Sequence, residues 1–412
     1  MHVSLGRRTI LGAGLAAATL PRRSYAQQKP IRIGVLTDMA GPYAANTGVG
    51  SVIGEQLAID DFTAAHPGIK VELVQADLQL KPDIALAIAA GWYDNDNVDL
   101  VTDVPLSSAA FAIAIGDLAK NKDKAAIFTG AASADITGSK CGPNQLHWCY
   151  DTWSMPHGVV DATVNEGGDS WFFITADYAF GHSLQRDTAA FVTAAGGKVL
   201  GQALAPFPGT TDFSSFIVQA KASGAKVLGL ANGGGDTVNC IKQAAEFGIM
   251  KGGQKVAGLI MLLQDVHGVG LHSAQGVLLT EPFYWNMNDD TRAFARRYVQ
   301  RRPDTMPNSI HAGQYSAVTH YLKAVEAIGV EKAKASGRAV IDRMKAMPTE
   351  DPLFGRGFVR KDGRKVHAMH LFEVKTPEQS KGPWDYYNLK RTIPTEEAFR
   401  PMDKGGCPLV NA

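Results

Sequence analysis

The chain of 412 residues is short of several things whose abundance would settle its class. It has only four cysteines, Cys141, Cys149, Cys240 and Cys407, and no two are spaced as CxxC, so a zinc ribbon lacks its ligands. An excess of charge of one sign is missing too. Lysine and arginine number 41 against 40 acids, a net of +1, and no basic surplus points to nucleic acid. No apolar run reaches the roughly 18 residues of a membrane span. The signatures GxSxG, HExxH and GxxxxGK[ST] are absent, and Gly138-Ser139-Lys140 lacks the upstream glycine of a phosphate loop. Asp94, Asp96 and Asp99 fail as a calcium loop, because Val98 and Asp99 stand where a ligand and the turn glycine belong. His367 and His370, three apart on an expected strand, face opposite ways and share no metal. The expectation is a multi-domain globular protein that is not an enzyme and carries no cofactor and no metal.

The first 26 residues read MHVSLGRRTILGAGLAAATLPRRSYA. Arg7 and Arg8 precede the uncharged run Ile10 to Leu20, and Ser24-Tyr25-Ala26 supplies a small-x-small stretch. This is the layout of an export signal over residues 1–26, cleaved near Ala26. The paired arginines, with Arg22 and Arg23 beyond the run, favour the twin-arginine route. The segment holds four arginines and no acid, so the chain from Gln27 has 37 basic and 40 acidic residues, a net of −3. Export to an oxidising compartment makes pairing the expected use of cysteine.

From Ile31 onward, β-rich runs alternate with helical patterns: IRIGVLT, IKVELVQAD, VDLVTDV and KAAIFTG, then SWFFITA, KVLGQAL, KVLGLAN and KVAGLIM. Such alternation predicts βαβ units and mainly parallel sheets flanked by helices, here in two α/β lobes. A helical stretch from about Asp290 to Met347 and a strand-like tail, KVHAMHLFEVK and WDYYNLKRTI, follow. The chain therefore passes between lobes more than once, with candidate crossings at Leu146–Trp153, Thr280–Trp285 and Met347–Phe354.

In open α/β sheets ligands bind beyond the carboxyl ends of the strands. Pro105-Leu106-Ser107-Ser108 follows VDLVTDV and opens a helix, so hydroxyls and free N–H groups gather at the positive end of a helix dipole, a ready anion site. Ser107 suits a helix cap equally well. Gly130-Ala131-Ala132-Ser133 presents small side chains that let a ligand reach the backbone. Tyr178 offers a ring face and a hydroxyl. Gly233-Gly234-Gly235 leads to Asp236, a helix cap or a partner for a substrate amine. Trp148, Tyr150 and Trp153, and then Phe283, Tyr284 and Trp285, cluster at crossings and offer a stacking surface, whereas Trp384, Tyr386 and Tyr387 read as packing.

Taken in order, TDMAGPYAANTGVGSVIGEQLAIDDF, VPLSS, GAASADITG, ITADYAFGHS and DFSSFIVQAKASGAKVLGLANGGGDTVNCIKQAAEFGI resemble the branched-chain amino acid type of periplasmic solute-binding protein of ABC importers. The resemblance covers nearly all of the chain after the signal. It implies a type I periplasmic-binding-protein fold of two α/β lobes with three hinge crossings: residues 29–147 with 282–347, residues 151–280 with 352–390, and a tail, 391–412, packing back near the hinge. It implies a ligand in the cleft, closure on binding, a membrane permease as partner and a monomer. Carried onto this sequence, it places the ligand carboxylate on Ser107 and Ser108 with Ala131 and Ser133, and lines the cleft with Tyr43 and Tyr178; the crossings add Tyr150 and Trp285, and the amine candidate remains Asp236.

One departure bears on the ligand. Relatives that bind amino acids present an acid after the strand matching KVAGLIM, but here Ile260 to Leu263 is apolar and the first acid is Asp265. A buried ammonium without a partner costs several kcal/mol. Together with TEPFYWNMND and SKGPWDYYNL, which resemble a branch associated with aromatic or other organic carboxylates, this favours such an acid over a free amino acid. A ligand sensor of the same fold is the alternative. Chain-entropy arithmetic gives about 2.6 kcal/mol for a Cys141–Cys149 loop and about 5.6 for Cys141–Cys407, and the resemblance at CGPN and GCPL implies the longer pairing.

Overall fold

A computed structural model describes residues 1–2, 29–115 and 118–410. The expected export signal lies, from residue 3 onward, outside the described residues. The chain first lays down β1 (Ile31–Thr37), α1 (Gly48–Ala65), β2 (Val71–Asp77), α2 (Pro82–Asp94), β3 (Leu100–Asp103), α3 (Ser107–Ile115), α4 (Leu118–Asn121), β4 (Ala125–Phe128) and β5 (Gln145–His147). These strands form one parallel sheet in the order β2-β1-β3-β4-β5. β3 and β4 are wholly buried and the edge strand β2 is only half-buried, as expected for a sheet covered by helices on both faces.

After a first crossing come α5 (Ser154–Asn165), β6 (Ser170–Ala176), α6 (Ala179–Ala194), β7 (Lys198–Ala205), α7 (Ser214–Ala222), β8 (Val227–Ala231), α8 (Gly235–Glu246), β9 (Lys255–Gly258), α9 (Leu263–Val269), α10 (Leu271–Ala274) and β10 (Leu278–Glu281). Here β7-β6-β8-β9 make the second parallel sheet. The chain then returns through α11 (Asp289–Val299), α12 (Ser309–Ile328), α13 (Val330–Ala335), α14 (Gly337–Ala346), β11 (Thr349–Asp351), β12 (Gly355–Val359) and β13 (Lys365–Val366). It ends with β14 (Met369–Val374) and β15 (Tyr387–Ile393), which join β10 in a small antiparallel sheet of the second lobe, and α15 (Thr395–Ala398).

The first lobe is completed by α12, more than 150 residues after β5 in the chain. Gly50 and Gly54 of α1 make this possible: a Cβ at either would stand 2.2 Å from His311, from its Nε2 or its carbonyl oxygen respectively. Asn308 caps α12, accepting from the Ile310 and His311 N–H groups at 2.9 and 3.1 Å.

The third crossing differs from the sequence expectation. Residues from 352 onward do not go straight to the second lobe. β11, β12 and β13 form an antiparallel ribbon whose last strand borders β5, with His147 bridged to Arg364 and its N–H donating to the Gly363 carbonyl at 3.0 Å. The chain leaves the first lobe only at His367–Ala368. The ribbon was unreadable because its edge pairing is long-range and its apolar residues do not alternate. Behind it the tail is anchored: Cys141 is bonded to Cys407, Arg400 Nη2 donates to the Ala134 carbonyl at 2.8 Å, and Cys149 and Cys240 remain free and buried.

Candidate ligand-binding cleft

Loops at the carboxyl ends of both parallel sheets meet around a cavity between the lobes. Asp38, just after β1, accepts from the Gly41 and Tyr43 N–H groups at 2.7 and 2.8 Å and so shapes the loop that presents Tyr43, Asn46 and Thr47. At the end of β3, Asp103 and the following Val104 both take left-handed backbone angles, φ 69° and 52°. That is costly for two consecutive residues with side chains, the second β-branched. The turn delivers Pro105 and the start of α3, where Ser107 faces the cavity. The Asp103 carboxyl, pushed up to about 6 by burial, braces the neighbouring loop by accepting from the Thr129 hydroxyl at 3.3 Å.

From the second lobe come Tyr178 and Phe180 after β6, Gly233 and Gly234 after β8, and Ile260, Leu262 and Asp265 after β9; Tyr150 enters from the first crossing. Across the cleft the Tyr43 and Tyr178 hydroxyls lie 2.6 Å apart, and Phe207 stacks on both rings, with centroids 5.2 and 4.5 Å away. Gly234, at φ 59°, brings α8 up to the first lobe, so that the Gly235 N–H donates to the Pro42 carbonyl at 2.9 Å.

Of the residues singled out in the sequence, Tyr43, Ser107, Tyr150 and Tyr178 line the cavity. The others do not. Ala131 turns its carbonyl to His147 Nε2, 2.7 Å away, and its neighbours Gly130 and Ala132 face the cavity instead. Ser133 spends its hydroxyl on Ser183, at 2.7 Å, and on capping the Asp135 N–H, while its own N–H donates to Ser107 Oγ at 3.2 Å. Ser108 is half-buried one step round α3. Asp236 lies in the first turn of α8 behind the two glycines, its carboxyl raised to about 7 by burial. Trp285 is removed from the cleft altogether: its Nε1–H donates to the Trp384 carbonyl at 2.8 Å and its ring packs edge-on against Tyr284.

Sequence reasoning discounted Asp265, and the structure corrects this. Residues 260–263 are apolar, but Asp265 sits three positions after Leu262 and folds back to accept that residue's N–H at 2.9 Å, capping α9 and bringing its carboxyl into the cavity wall. Its other oxygen accepts from Asn46 Nδ2 at 2.8 Å. Burial raises this carboxyl to about 6, against the lowering effect of those two donors, so it is mainly ionised at neutral pH. No lysine, arginine or histidine lines the cavity among the described residues. The site thus pairs a helix N-terminus and a serine in one lobe with a carboxylate in the other, between aromatic walls.

Comparison with known proteins agrees with this architecture. A family model described as periplasmic binding protein matches residues 30–383. A solved periplasmic binding protein from Burkholderia mallei is 43% identical, covers 92% of this chain and 99% of its own, and superposes with a TM-score of 0.87. A branched chain amino acid ABC transporter periplasmic ligand-binding protein from Burkholderia xenovorans is 41% identical with the same coverage and a TM-score of 0.79. A solute binding protein of an ABC transporter from Rhodopseudomonas palustris, solved with 3,4-dihydroxy benzoic acid, shares the fold at 22% identity, covering 89% of this chain and 98% of its own with a TM-score of 0.78. No curated protein matches the chain.

The chain belongs to the periplasmic binding proteins, in the group of substrate-binding proteins that serve ABC importers. Such proteins bind a small molecule and deliver it to a permease without catalysis.

Proposed function

We propose that this chain captures a small organic carboxylate, an aromatic acid or an amino-acid-like molecule, in the cleft and hands it to the permease of an ABC importer. The observation that carries this reading is the charge pattern of the lining. With no cationic side chain in the wall among the described residues, a carboxylate is received by the N–H groups at the start of α3 and by Ser107. The apolar or aromatic body lies against Tyr43, Tyr150, Tyr178 and Phe180, and a hydrogen-bond donor on the ligand turns to Asp265. The benzoate-type acids held by the Rhodopseudomonas palustris proteins and the amino acid named for the Burkholderia xenovorans relative support the two halves of this description. We place the working protein in the periplasm as a monomer starting near Gln27.

Mass spectrometry of what is released on denaturing the purified protein, followed by titration calorimetry with that compound, leucine, phenylalanine, benzoate and 4-hydroxybenzoate, tests the reading. The expected result is a small carboxylic acid bound tightly. Release of a sugar or a metal complex, with no binding of any of the acids, overturns it.

A further inference from the structure

Helix α6 belongs to the second lobe, yet one of its faces is spent on the first. Ser183, Arg186 and Asp187 stand at the i, i+3, i+4 spacing that puts side chains on one side of a helix. The Ser183 hydroxyl meets that of Ser133 at 2.7 Å. Arg186 grips Asp135 with both terminal nitrogens, Nη1 to Oδ2 at 3.0 Å and Nη2 to Oδ1 at 3.1 Å, while its Nε donates to Asp187 at 3.0 Å. Asp187 in turn accepts from the Thr152 hydroxyl in the first crossing at 2.6 Å. Ser133 and Asp135 follow β4 of the first lobe, so the Ser133 and Asp135 bonds exist only while the lobes are together.

None of these side chains lines the cavity. They differ in this from the contacts of Asn46 with Asp265 and of Tyr43 with Tyr178 between the lobes, whose side chains are themselves part of the lining. The pair is also placed where salt can reach it: the Arg186 side chain is 51% exposed and that of Asp135 23%. A bidentate guanidinium–carboxylate pair is the strongest form of such a contact, and an exposed one is weakened by screening.

We propose that this face of α6 is a latch, with Arg186 and Asp135 as positioning residues that bias the lobes towards closure and so set ligand affinity without touching the ligand. Its contribution does not depend on which ligand the cleft takes. An exposed pair of this kind shifts a closed-to-open ratio by about two- to fivefold, and the shift disappears at high salt.

The test uses the full mature chain, freed of ligand by unfolding and refolding, and needs no added ligand. Small-angle scattering reads the radius of gyration at about 20 mM and about 1 M NaCl, concentrations bracketing the range over which screening sets in. The wild type is expected to be more compact at low salt. Arg186→Ala is expected to match the wild type's high-salt value at both concentrations. The double variant Asp135→Arg with Arg186→Asp restores the salt-dependent compaction if the pair is the cause, and circular dichroism confirms that each variant is folded. A radius that responds neither to salt nor to Arg186→Ala overturns the proposal, as does a double variant that behaves like Arg186→Ala.

Discussion

Asn46 donates its amide to Asp265 at 2.8 Å, so a residue of the first lobe holds in place a carboxyl that the second lobe contributes to the cavity lining. The cavity lining and the meeting of the lobes thus share a side chain. Replacing Asp265 by Asn keeps its size but removes the charge. Affinity for the co-purified ligand should then fall about tenfold or more, the range for a hydrogen bond to a charged group. Calorimetry on the variant checks this. A plain benzoate-type anion would instead bind as well or better, because a nearby negative charge has gone.

A second prediction concerns pH. Glu55 is fully buried under the first sheet, with the Thr102 hydroxyl donating to Oε2 at 2.8 Å and no partner for Oε1 among the described residues. Burial lifts its carboxyl from the ordinary 4.5 to about 8. The folded chain therefore holds a proton that the unfolded chain has lost between these two values. The stability Glu55 contributes is present below pH 4.5 and is lost as pH rises through that window. Glu55→Gln should flatten the decline in melting temperature between pH 5 and pH 8, measured by calorimetry beside the wild type.

Arg364 carries a third. It is fully buried, donates Nη1 to the Tyr150 carbonyl at 3.0 Å and to Asp151 at 3.3 Å, and lies 4.7 Å from the Phe399 ring. It thereby ties the ribbon of β11 to β13 to the first crossing, beside a residue that lines the cavity. Arg364→Leu leaves Asp151 buried without its cation, and a loss of about 3–5 kcal/mol is expected in urea unfolding. An unchanged urea midpoint would show that water or another group takes over that charge.

The disulfide provides the fourth. Cys141 and Cys407 close a loop of 266 residues. With both replaced by serine, the tail should become accessible to carboxypeptidase and stability should fall by about 2–5 kcal/mol, the usual cost of losing a native bridge.

Both parallel sheets were legible in the sequence because burial on two faces writes itself as short apolar runs such as IRIGVLT and SWFFITA, and Ser107 and Tyr178 could be placed because strand ends locate the cleft, while Tyr43 came from the family resemblance. What could not be read depends on the meeting of distant segments. Ser133 looked like its neighbours until closure spent its hydroxyl on Ser183. Trp285 had the composition of a cleft aromatic but found its partner at Trp384, ninety-nine residues away. Asp265 was hidden by an apolar approach, and its one local signal was its place three residues into a helix, where acids cap.

The first lobe is finished by α12 and by β13, which come after the whole of the second lobe's parallel sheet. Order of synthesis therefore runs against order of position. As the chain is made, the stretch from α5 to β9 can close its sheet from its own residues, while the earlier segment waits with the α1 face that Gly50 and Gly54 keep bare for α12. A chain cut before residue 309 would hold every strand of the second parallel sheet but lack the helix that covers α1.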